Sequence, residues 1–576
     1  MRNYLNNIKK IFAILPNHLN KRFKLIFFLL SIGGLLETLG IGAIIPLISI
    51  IVNEESGTNF VKNFINFELY SKNEILIFLG ILIFIVYLIK ALFLSILEFI
   101  IQKFVVSVNS EVTSSLFKNY LNRPYKFIFS NNSPILFRNL TSEVSNFCAG
   151  IIEPMILAAK EFFTFILIIS MLITINYQIS LVIIFFVVLF FLIVKIILQK
   201  ILYNLGKKEQ STKGLLNKTK LEAFQGFKFI KSYKIENLFV SSLNKIFKEF
   251  IEVKHKSTAY RSLPRIWIEL FIILILIFLG MIFKYFQLSL SEYLIFVSIF
   301  MISMIKVMPS LISFIRVINM FQNYQASIDL ISNDLSFENK IDYKSVEKEK
   351  INLNDFEFLD FQNLHFCYEN QNKEIIKDLS LRINSKNEIL GICGPSGSGK
   401  TTLIDLLIGL LSPQKGNLYV DDQKLDFKKI NHQIFGYVPQ NTFLFDDSIK
   451  NNILITSENR KISEEQYQKT LAQSELIEFV NSLSEKDNTK LGENGVRISG
   501  GQKQRIGIAR ALISQPKILI LDEATSALDY EIEKNIFKTI KGLSSQTSVI
   551  VISHNERIWE YCTRLYKLTD GKLIKN

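Results

Sequence analysis

The sequence predicts two domains of different class: an all-α membrane domain with six membrane-spanning helices, followed by an α/β domain with a P-loop. Of its 576 residues 49% are hydrophobic, and the long apolar runs are concentrated before Ile331. Later residues mix charge with alternating apolar positions, as soluble α/β domains do. A complete G-x-x-x-x-G-K-[ST] motif lies in that second part. We expect a membrane domain at 1–332, a polar linker at 333–352 and a nucleotide-binding domain at 353–576.

Six apolar stretches are long enough to cross a bilayer, which takes roughly 20 residues. The first is too long, and too continuous with the residues after it, for a cleaved signal peptide. The predicted spans are Leu25–Val52, Ile75–Val105, Phe147–Ile175, Ile179–Leu198, Ile266–Phe286 and Tyr293–Val317.

Lysine and arginine are distributed unequally between the predicted loops. They are abundant before the first span and between Lys207 and Lys234, whereas the first loop on the other side is acidic, with Glu54 and Glu55. Because cytoplasmic loops carry the excess of basic residues, both termini are predicted to be cytoplasmic. The inward segments are also long and compatible with helix, so the helices should extend well below the membrane, with short turning helices near Ser130–Pro134 and Glu222–Lys228.

Charged residues within the spans are costly and therefore suggest a polar cavity. Glu37 lies in the first span and Lys306 in the sixth, while Arg265 precedes the fifth and Arg316 ends the sixth. A basic lining of Arg265, Lys306 and Arg316 would suit a phosphate-bearing substrate. The alternatives for each charge are snorkelling to the interface or an ion pair between helices.

Between the first two spans, Thr58–Leu69 has aromatic and aliphatic residues close to helical spacing. This pattern is compatible with a short amphipathic helix on the outer membrane surface, or with a loop whose aromatic residues are incidental.

A net charge of +14 would ordinarily suggest that the protein binds nucleic acid. Many of the cations lie beside membrane spans, where topology demands them, so we expect no nucleic-acid partner. The four cysteines have no C-x-x-C or metal-site spacing and are interpreted as buried thiols in a reducing compartment.

The phosphate loop follows the apolar strand Ile389–Cys393 and precedes a leucine-rich helix. Its glycines let backbone N–H groups surround phosphates, Lys400 neutralises charge on the β- and γ-phosphates, and the Thr401 hydroxyl coordinates Mg²⁺. The predicted ATP ligands of this segment are Gly394, Pro395, Ser396, Gly397, Ser398, Gly399, Lys400, Thr401 and Thr402.

The remaining site residues stand at strand ends. Asp522 ends the apolar strand Ile518–Leu521 and is predicted to bind Mg²⁺; Glu523 follows it as the general base for the attacking water. His554 and Gln440 are predicted to orient that water, Gln440 also reaching Mg²⁺. Tyr368 is predicted to stack on adenine.

A second glycine motif, Ser499-Gly500-Gly501-Gln502, opens a helix shortly before Ile518. Its serine hydroxyl and backbone N–H groups, at the positive end of a helix, are suited to a γ-phosphate held by another P-loop. Asp529, in the Ser526–Asp529 loop, is predicted to face the ATP site of the opposite subunit. One P-loop and one signature per chain predict a homodimer that closes on two ATP molecules.

Taken together these motifs resemble type IV ABC exporters over essentially the whole chain. Within them, the chain resembles the PglK family of bacterial lipid-linked oligosaccharide flippases. The segments that carry this resemblance are Glu37-Thr38 with Pro46, Phe227–Lys231, Pro264–Ile266, Lys306–Ser310 and Ser327–Asp329.

This resemblance implies a location in the bacterial inner membrane and a substrate with a polyprenyl-pyrophosphate glycan, used in protein glycosylation. Its head group would cross a basic cavity while its lipid tail stays in the membrane. The chain departs from the family in having Lys306 where arginine is expected and a cation displaced to Arg316; Ile498 also replaces the leucine of the signature, and Asn555 follows His554 in place of arginine. Export of another lipid, a peptide or a drug is the alternative, and an ATP-gated channel or regulator is a third.

Overall fold

The computed structural model describes most of the chain and divides it into two compact units, residues 1–123 with 131–340 and residues 124–130 with 341–576. Thr58–Leu69 and the predicted linker after Ser336 lie outside the described residues. Described are residues 2–52, 72–131, 133–175, 177–285, 290–336, 356–368, 373–430, 432–457, 461–554 and 556–575.

The first unit is helical throughout its described part. Two π-helical turns, Asn139–Glu143 and Cys148–Ile152, flank the short helix Val144–Phe147. The helices are α1 Arg2–Ile14, α2 Asn17–Val52, α3 Lys72–Asn122, α5 Ser133–Arg138, α6 Val144–Phe147, α7 Glu153–Ile175, α8 Tyr177–Gln225, α9 Phe227–Tyr233, α10 Glu236–Tyr285, α11 Leu290–Asn323 and α12 Gln325–Ser336, while α4, Tyr125–Ser130, belongs to the second unit.

Five helices of the described part are long and apolar enough to cross a membrane, and a bent pair, Ile184–Leu198 with Lys200–Gln225, makes a sixth if it is one span. Helix α3 has 51 residues, or about 75 Å at 1.5 Å per residue, against a hydrocarbon core of about 30 Å. Helix α3 is therefore much longer than a membrane crossing requires, as the predicted extension beyond the membrane needs.

Small residues let the helices of this unit approach closely. A Cβ on Gly34 of α2 would lie 3.1 Å from the Phe163 Cβ and 3.2 Å from the Thr164 backbone nitrogen of α7. Such contacts replace the hydrophobic driving force that membrane helices lack. Two polar contacts also hold α7: Lys160 Nζ lies 3.7 Å from Glu37 Oε1, and Ser310 Oγ of α11 donates to Glu161 Oε2 at 2.8 Å.

The second unit contains two sheets. The strands are β1 Phe358–Phe366, β2 Ile376–Asn384, β3 Ile389–Cys393, β4 Lys415–Val420, β5 Gln423–Leu425, β6 Phe435–Val438, β7 Ile518–Asp522, β8 Ser548–Ile552, β9 Arg564–Thr569 and β10 Lys572–Lys575. One sheet is antiparallel with the order β2-β1-β4-β5, and the other has the order β10-β9-β3-β8-β7-β6, parallel except for the β9–β10 pair.

Strands β3, β7 and β8 are buried along their whole length, as expected of a parallel sheet covered on both faces. Their carboxyl ends carry the phosphate loop, Asp522 and Ser553-His554, so the topology gathers those segments at one edge. The helices of this unit are α13 Lys400–Leu407, α14 Ile449–Leu454, α15 Glu464–Gln473, α16 Ile477–Ser482, α17 Gly500–Leu512 and α18 Tyr530–Leu543. The predicted fold class is confirmed.

Candidate nucleotide-binding site

The phosphate loop lies between β3 and α13, as predicted. Gly397 and Gly399 have φ values of 77° and 102°, which L-residues with a side chain rarely adopt. A Cβ on Gly394 would lie 2.4 Å from the Leu568 carbonyl oxygen. Lys400 Nζ donates to the carbonyl oxygens of Gly394 and Pro395 at 2.9 and 3.0 Å, so its ammonium lies within the curl of the loop.

Two buried carboxylates lie close to the phosphate loop. Asp522, at the end of β7, accepts a hydrogen bond from the Tyr437 hydroxyl at 3.4 Å. Burial and the charge of Asp522 raise the pKa of Asp405 on α13 to about 6. Burial, followed by the charge of Glu523, also raises the pKa of Asp522. This concentration of negative charge favours a bound cation.

The donor set fits Mg²⁺ held together with a nucleotide. Among the described residues, no group of three or more His, Cys, Asp or Glu is arranged to hold a metal ion by itself. Mg²⁺ is commonly held by one or two protein oxygens together with substrate phosphates. Thr401, in the first turn of α13, offers a hydroxyl, and Asp522, at the end of β7, offers a carboxylate, which is the kind of partial site that this arrangement needs.

Glu523, Gln440 and His554 are brought together from three separate strand ends. Gln440 Nε2 donates to Glu523 Oε2 at 2.7 Å, and His554 Nε2 lies 2.8 Å from Glu523 Oε1. Glu523 has φ 51°, and its backbone N–H donates to the Ile552 carbonyl at 2.9 Å. A left-handed glutamate costs on the order of 1 kcal/mol, and such residues cluster at functional sites. The arrangement presents one carboxylate with two groups that can orient it.

Tyr368 lies beside the helix that follows the phosphate loop. Its hydroxyl is 3.3 Å from Thr402 Oγ1, and its ring meets Phe366 edge-on with centroids 5.0 Å apart. The position is compatible with the predicted stacking on adenine, which stays a prediction.

The signature segment begins α17. Ser499 Oγ accepts the Gln502 backbone N–H at 3.2 Å, and Gln502 Oε1 accepts the Ser499 N–H at 2.8 Å, a complete capping box. A Cβ on Gly501 would lie 2.9 Å from the Ala527 carbonyl oxygen, so α17 packs closely on the Ser526–Asp529 loop. Within the described part of the chain, no hydrogen bond joins residues 499–502 to the phosphate loop.

Sequence reasoning missed several residues that shape this site. Gln504 donates to Ser526 Oγ at 3.3 Å and accepts the Ala527 N–H at 3.1 Å, tying the signature helix to the Ser526–Asp529 loop. A Cβ on Gly507 would lie 2.6 Å from Thr442 Oγ1, two residues after Gln440. The spacing Ser499–Gln504 places both residues near the start of one helix, but only the fold shows their partners.

Helix α4 lies next to the nucleotide site. Burial, followed by the nearby charges of Asp405 and Tyr368, raises the pKa of Tyr125. The sequence predicts a turning helix near Ser130–Pro134, but α4 begins earlier, directly after Pro124, whose carbonyl accepts the Phe127 N–H at 2.8 Å. Proline favours the first turn of a helix, which accounts for this start. The other predicted turning helix, near Glu222–Lys228, corresponds to the break between α8 and α9.

The predicted cavity residues of the membrane unit differ in what the structure describes. Arg265 and Lys306 lie in α10 and α11, but their side chains are outside the described part. Glu37 is buried and its carboxylate pairs with Lys160, the ion pair between helices that the sequence left open. Arg316 lines a cavity, and its role in substrate binding stays a prediction.

Comparison with known families agrees with this site. The family model described as "ABC transporter transmembrane region" matches residues 25–307, and the one described as "ABC transporter" matches residues 376–526.

Several curated proteins are similar to this chain. An export ATP-binding/permease protein of Rickettsia typhi is 40% identical over 221 residues, which is 38% of each chain. The ATP-dependent lipid A-core flippases of Photorhabdus laumondii and Pseudoalteromonas translucida are 27% and 28% identical, over 80% and 81% of this chain and 78% and 81% of theirs. The structure of a bacterial Atm1-family ABC exporter with ATP bound superposes with a TM-score of 0.76 and 19% identity, covering 96% of this chain and 95% of that one. At this identity the likeness shows the fold.

Proposed function

Because this chain is an ABC exporter half-transporter whose ATPase domain couples hydrolysis to export, we propose that it flips a lipid-linked oligosaccharide across the membrane. The proposed substrate belongs to a wider class of lipids whose head group carries both phosphate and glycan. The protein is a multi-pass membrane protein; the bacterial inner membrane and cytoplasmic termini belong to this proposal.

The observation that carries the proposal is the exposed Arg316 in a cavity of the membrane unit, where the apolar window Val297–Val317 ends. An exposed guanidinium at that depth is suited to a lipid phosphate, since phosphate and guanidinium form strong paired hydrogen bonds. Similarity to ATP-dependent lipid A-core flippases over most of the chain supports a lipid as the substrate, because those proteins are named for flipping a lipid.

In the proposed cycle, the phosphate loop of one subunit and the Ser499–Gln502 segment of a second copy enclose each ATP, so the working unit is a homodimer. Glu523 accepts a proton from the attacking water, while Gln440 and His554 hold the Glu523 carboxylate in position. Mg²⁺, when bound, would neutralise phosphate charge, and Thr401, Asp522 and Gln440 would hold it. Closure of the two ATPase domains would be transmitted to the membrane helices through short helices such as α4.

Three other functions compete with this one. A lipid A-core glycolipid is the second substrate candidate, favoured by the names of the long relatives. Export of a peptide or drug would use the same ATPase site. The contacts of Glu523 with Gln440 and His554, which the proposed hydrolysis uses, count against a channel or regulator without active transport.

Reconstitution in vesicles tests these alternatives. The purified protein would be given a fluorescent lipid-linked oligosaccharide, a lipid A-core glycolipid and a peptide pool in separate experiments. ATP-dependent translocation of the first, absent in Glu523→Gln, supports the proposal. Translocation of the glycolipid alone moves the assignment to the second candidate, and stimulation of ATPase activity by peptides alone refutes lipid transport.

A further inference from the structure

The chain passes between the two compact units after residues 123, 130 and 340. Arg123, directly after the end of α3, is the last residue before the first passage, and Asp334 lies near the end of α12, shortly before the third. Arg123 NH2 donates to Asp334 Oδ1 at 2.8 Å and to the Asp334 carbonyl oxygen at 3.2 Å. One guanidinium therefore joins the carboxyl ends of α3 and α12, next to two of the places where the chain leaves the membrane unit.

The position of the Arg123 guanidinium suits its chemistry. The last four carbonyls of an α-helix have no partner within the helix, and the carbonyl of Asp334 is among those of α12. A cation at this end also interacts favourably with the helix dipole. Arg123 Nε donates to Asn119 Oδ1 at 3.0 Å, which orients the guanidinium from the α3 side. The Arg123 side chain is 8% exposed, so salt and water screen its ion pair with Asp334 weakly.

Tyr120 and Asn139 extend this contact to a third segment. The Tyr120 hydroxyl donates to Asp334 Oδ2 at 2.6 Å, so Tyr120 and Arg123 hold the two carboxylate oxygens of Asp334 separately. Asn139 Nδ2 donates to the Tyr120 hydroxyl at 3.2 Å. Asn139 begins the first π-helical turn, in the segment that follows the passage after residue 130. Tyr120, Arg123, Asn139 and Asp334, which we call the Asp334 clamp, thus connect the chain segments beside all three passages.

The same π-helical turn also holds the beginning of α12. Ser327 Oγ donates to Glu143 Oε2 at 2.5 Å. Ile328 and Ile331 of α12 are fully buried in one hydrophobic core with Leu116 of α3. Turns of π-helix are rare and occur mostly at functional sites. Contacts at both ends of α12, together with its apolar packing, favour movement of α12 and α3 as one body.

A role in export follows from where these helices lead. Helix α3 is continuous from Lys72 to Asn122, and α12 follows α11 after a break at Tyr324. Both α3 and α11 contain candidate membrane spans. Coupling between distant sites is carried by rigid helices and by networks of hydrogen bonds and ion pairs. A displacement that arrives at one passage would therefore reach two membrane helices together while the clamp is closed.

We propose that Tyr120, Arg123 and Asp334 are positioning residues for coupled export: they hold the ends of α3 and α12 together, so that both helices share the movement driven by ATP. Without the clamp the ATP site still turns over, but fewer turnovers move the membrane helices productively. This role requires only that hydrolysis drives export, so it does not depend on which substrate is carried.

The test is the number of substrate molecules translocated per ATP hydrolysed, measured in vesicles with the fluorescent lipid-linked oligosaccharide. Misfolded protein contributes to neither quantity, so a variant that only lowers the folded fraction leaves this ratio unchanged. Asp334→Asn is expected to lower the ratio roughly fivefold, with the KM for ATP unchanged and ATP turnover within about twofold of the parent protein.

Further variants grade this effect. Tyr120→Phe removes the hydroxyl between Asp334 and Asn139 but keeps the ion pair, and should lower the ratio about twofold. If Asp334→Asn does not fold, Tyr120→Phe decides the test. Asp334→Glu keeps the carboxylate and should recover part of the ratio. Asp329→Asn is the matched control, because it makes the same substitution in the same helix at a carboxylate that pairs with Lys10 of α1, and it should leave the ratio unchanged.

Hydrogen exchange examines the clamp without an exported substrate. The full-length protein in lipid nanodiscs carries Glu523→Gln to retain ATP, and exchange is compared with and without Mg-ATP. ATP should protect the phosphate loop in every variant. An accompanying change in exchange at residues 108–122 and 325–336 should occur in the parent protein and in Asp329→Asn, and should be lost in Asp334→Asn.

An unchanged ratio in Asp334→Asn would overturn the proposal, as would an equal loss in Asp329→Asn. An ATP-dependent change at residues 325–336 that persists in Asp334→Asn would also overturn it, and so would the absence of any such change in the parent protein. If the parent protein translocates only the lipid A-core glycolipid, the proposed function alone fails, and the ratio is then measured with that glycolipid.

Discussion

Replacement of Glu523 by glutamine tests the hydrolytic site most directly. Glutamine keeps the size of the side chain and can keep a contact with Gln440, but it cannot accept a proton from water. General-base catalysis contributes typically 10²- to 10⁴-fold, or about 3–5 kcal/mol of barrier. We therefore expect ATP turnover to fall by that factor while ATP affinity stays near normal, because the phosphate loop and Tyr368 are unchanged.

The contact between Glu523 and His554, 2.8 Å long, allows a sharper form of the same test. If His554 acts by holding the Glu523 carboxylate, the double variant Glu523→Gln/His554→Ala should be little worse than Glu523→Gln alone. Residues that act as a unit are strongly non-additive, whereas independent contributions multiply.

The assay is steady-state phosphate release by the reconstituted protein, with ATP binding measured separately. Glu465→Gln is the matched control, an exposed glutamate in the first turn of α15, and should hydrolyse ATP normally. Normal hydrolysis in Glu523→Gln would refute the role of Glu523 as base. Multiplicative losses in the double variant would instead refute the positioning role of His554.

Three further predictions concern neighbouring residues. Gly507→Ala should destabilise the protein by roughly 1–3 kcal/mol through the clash with Thr442, and Thr442→Ala should restore most of that loss in thermal unfolding. Asp405→Asn should stabilise the nucleotide-free protein above pH 6. The pKa of Asp405 is about 6 in the folded protein and ordinarily 3.8, so ionised Asp405 destabilises the folded state, and the protein loses stability as the pH rises through 6. The stability gained by Asp405→Asn, roughly 1–2 kcal/mol after solvent screening, should therefore shrink toward pH 5. Ser499→Asp should keep the helix cap, and hence the melting temperature, but abolish ATPase activity, because it places negative charge where a γ-phosphate is expected.

Each of these has an outcome that contradicts it. Failure of Thr442→Ala to rescue Gly507→Ala would mean that the clash is not the cause of the destabilisation. A stability gain of Asp405→Asn that is independent of pH would exclude titration of Asp405. Retained ATPase activity in Ser499→Asp would show that Ser499 caps α17 without meeting phosphate, and Ser463→Asp, at another capped helix, controls for the substitution itself.

The phosphate loop and the pair Asp522–Glu523 were predictable because each is a contiguous segment whose strand, turn and helix follow one another in sequence. The membrane spans, five single helices and a bent pair, were predictable for a similar reason: the apolar length needed to cross a bilayer is counted along the chain. The turning helix predicted near Ser130–Pro134 coincides only with the end of α4 and the start of α5, because the chain already turns into helix after Pro124.

Other features depend on residues far apart in sequence. Tyr437 reaches Asp522, Gln504 holds the Ser526–Asp529 loop, and Gly507 makes room for Thr442. No pattern along the chain indicates such pairs, because each depends on how strands order in the sheet and how α17 packs against it.

The sequence by itself determined the two domain classes and the nucleotide chemistry, and it indicated the candidate residues of the ATP site, since these depend on local periodicity and on motifs that fold as single units. Only the tertiary structure decided which charges of the membrane unit meet. It pairs Glu37 with Lys160 and brings Arg261 to the same cavity as Arg316. Helix packing sets those distances, and the sequence spacing of residues on different helices carries no information about them.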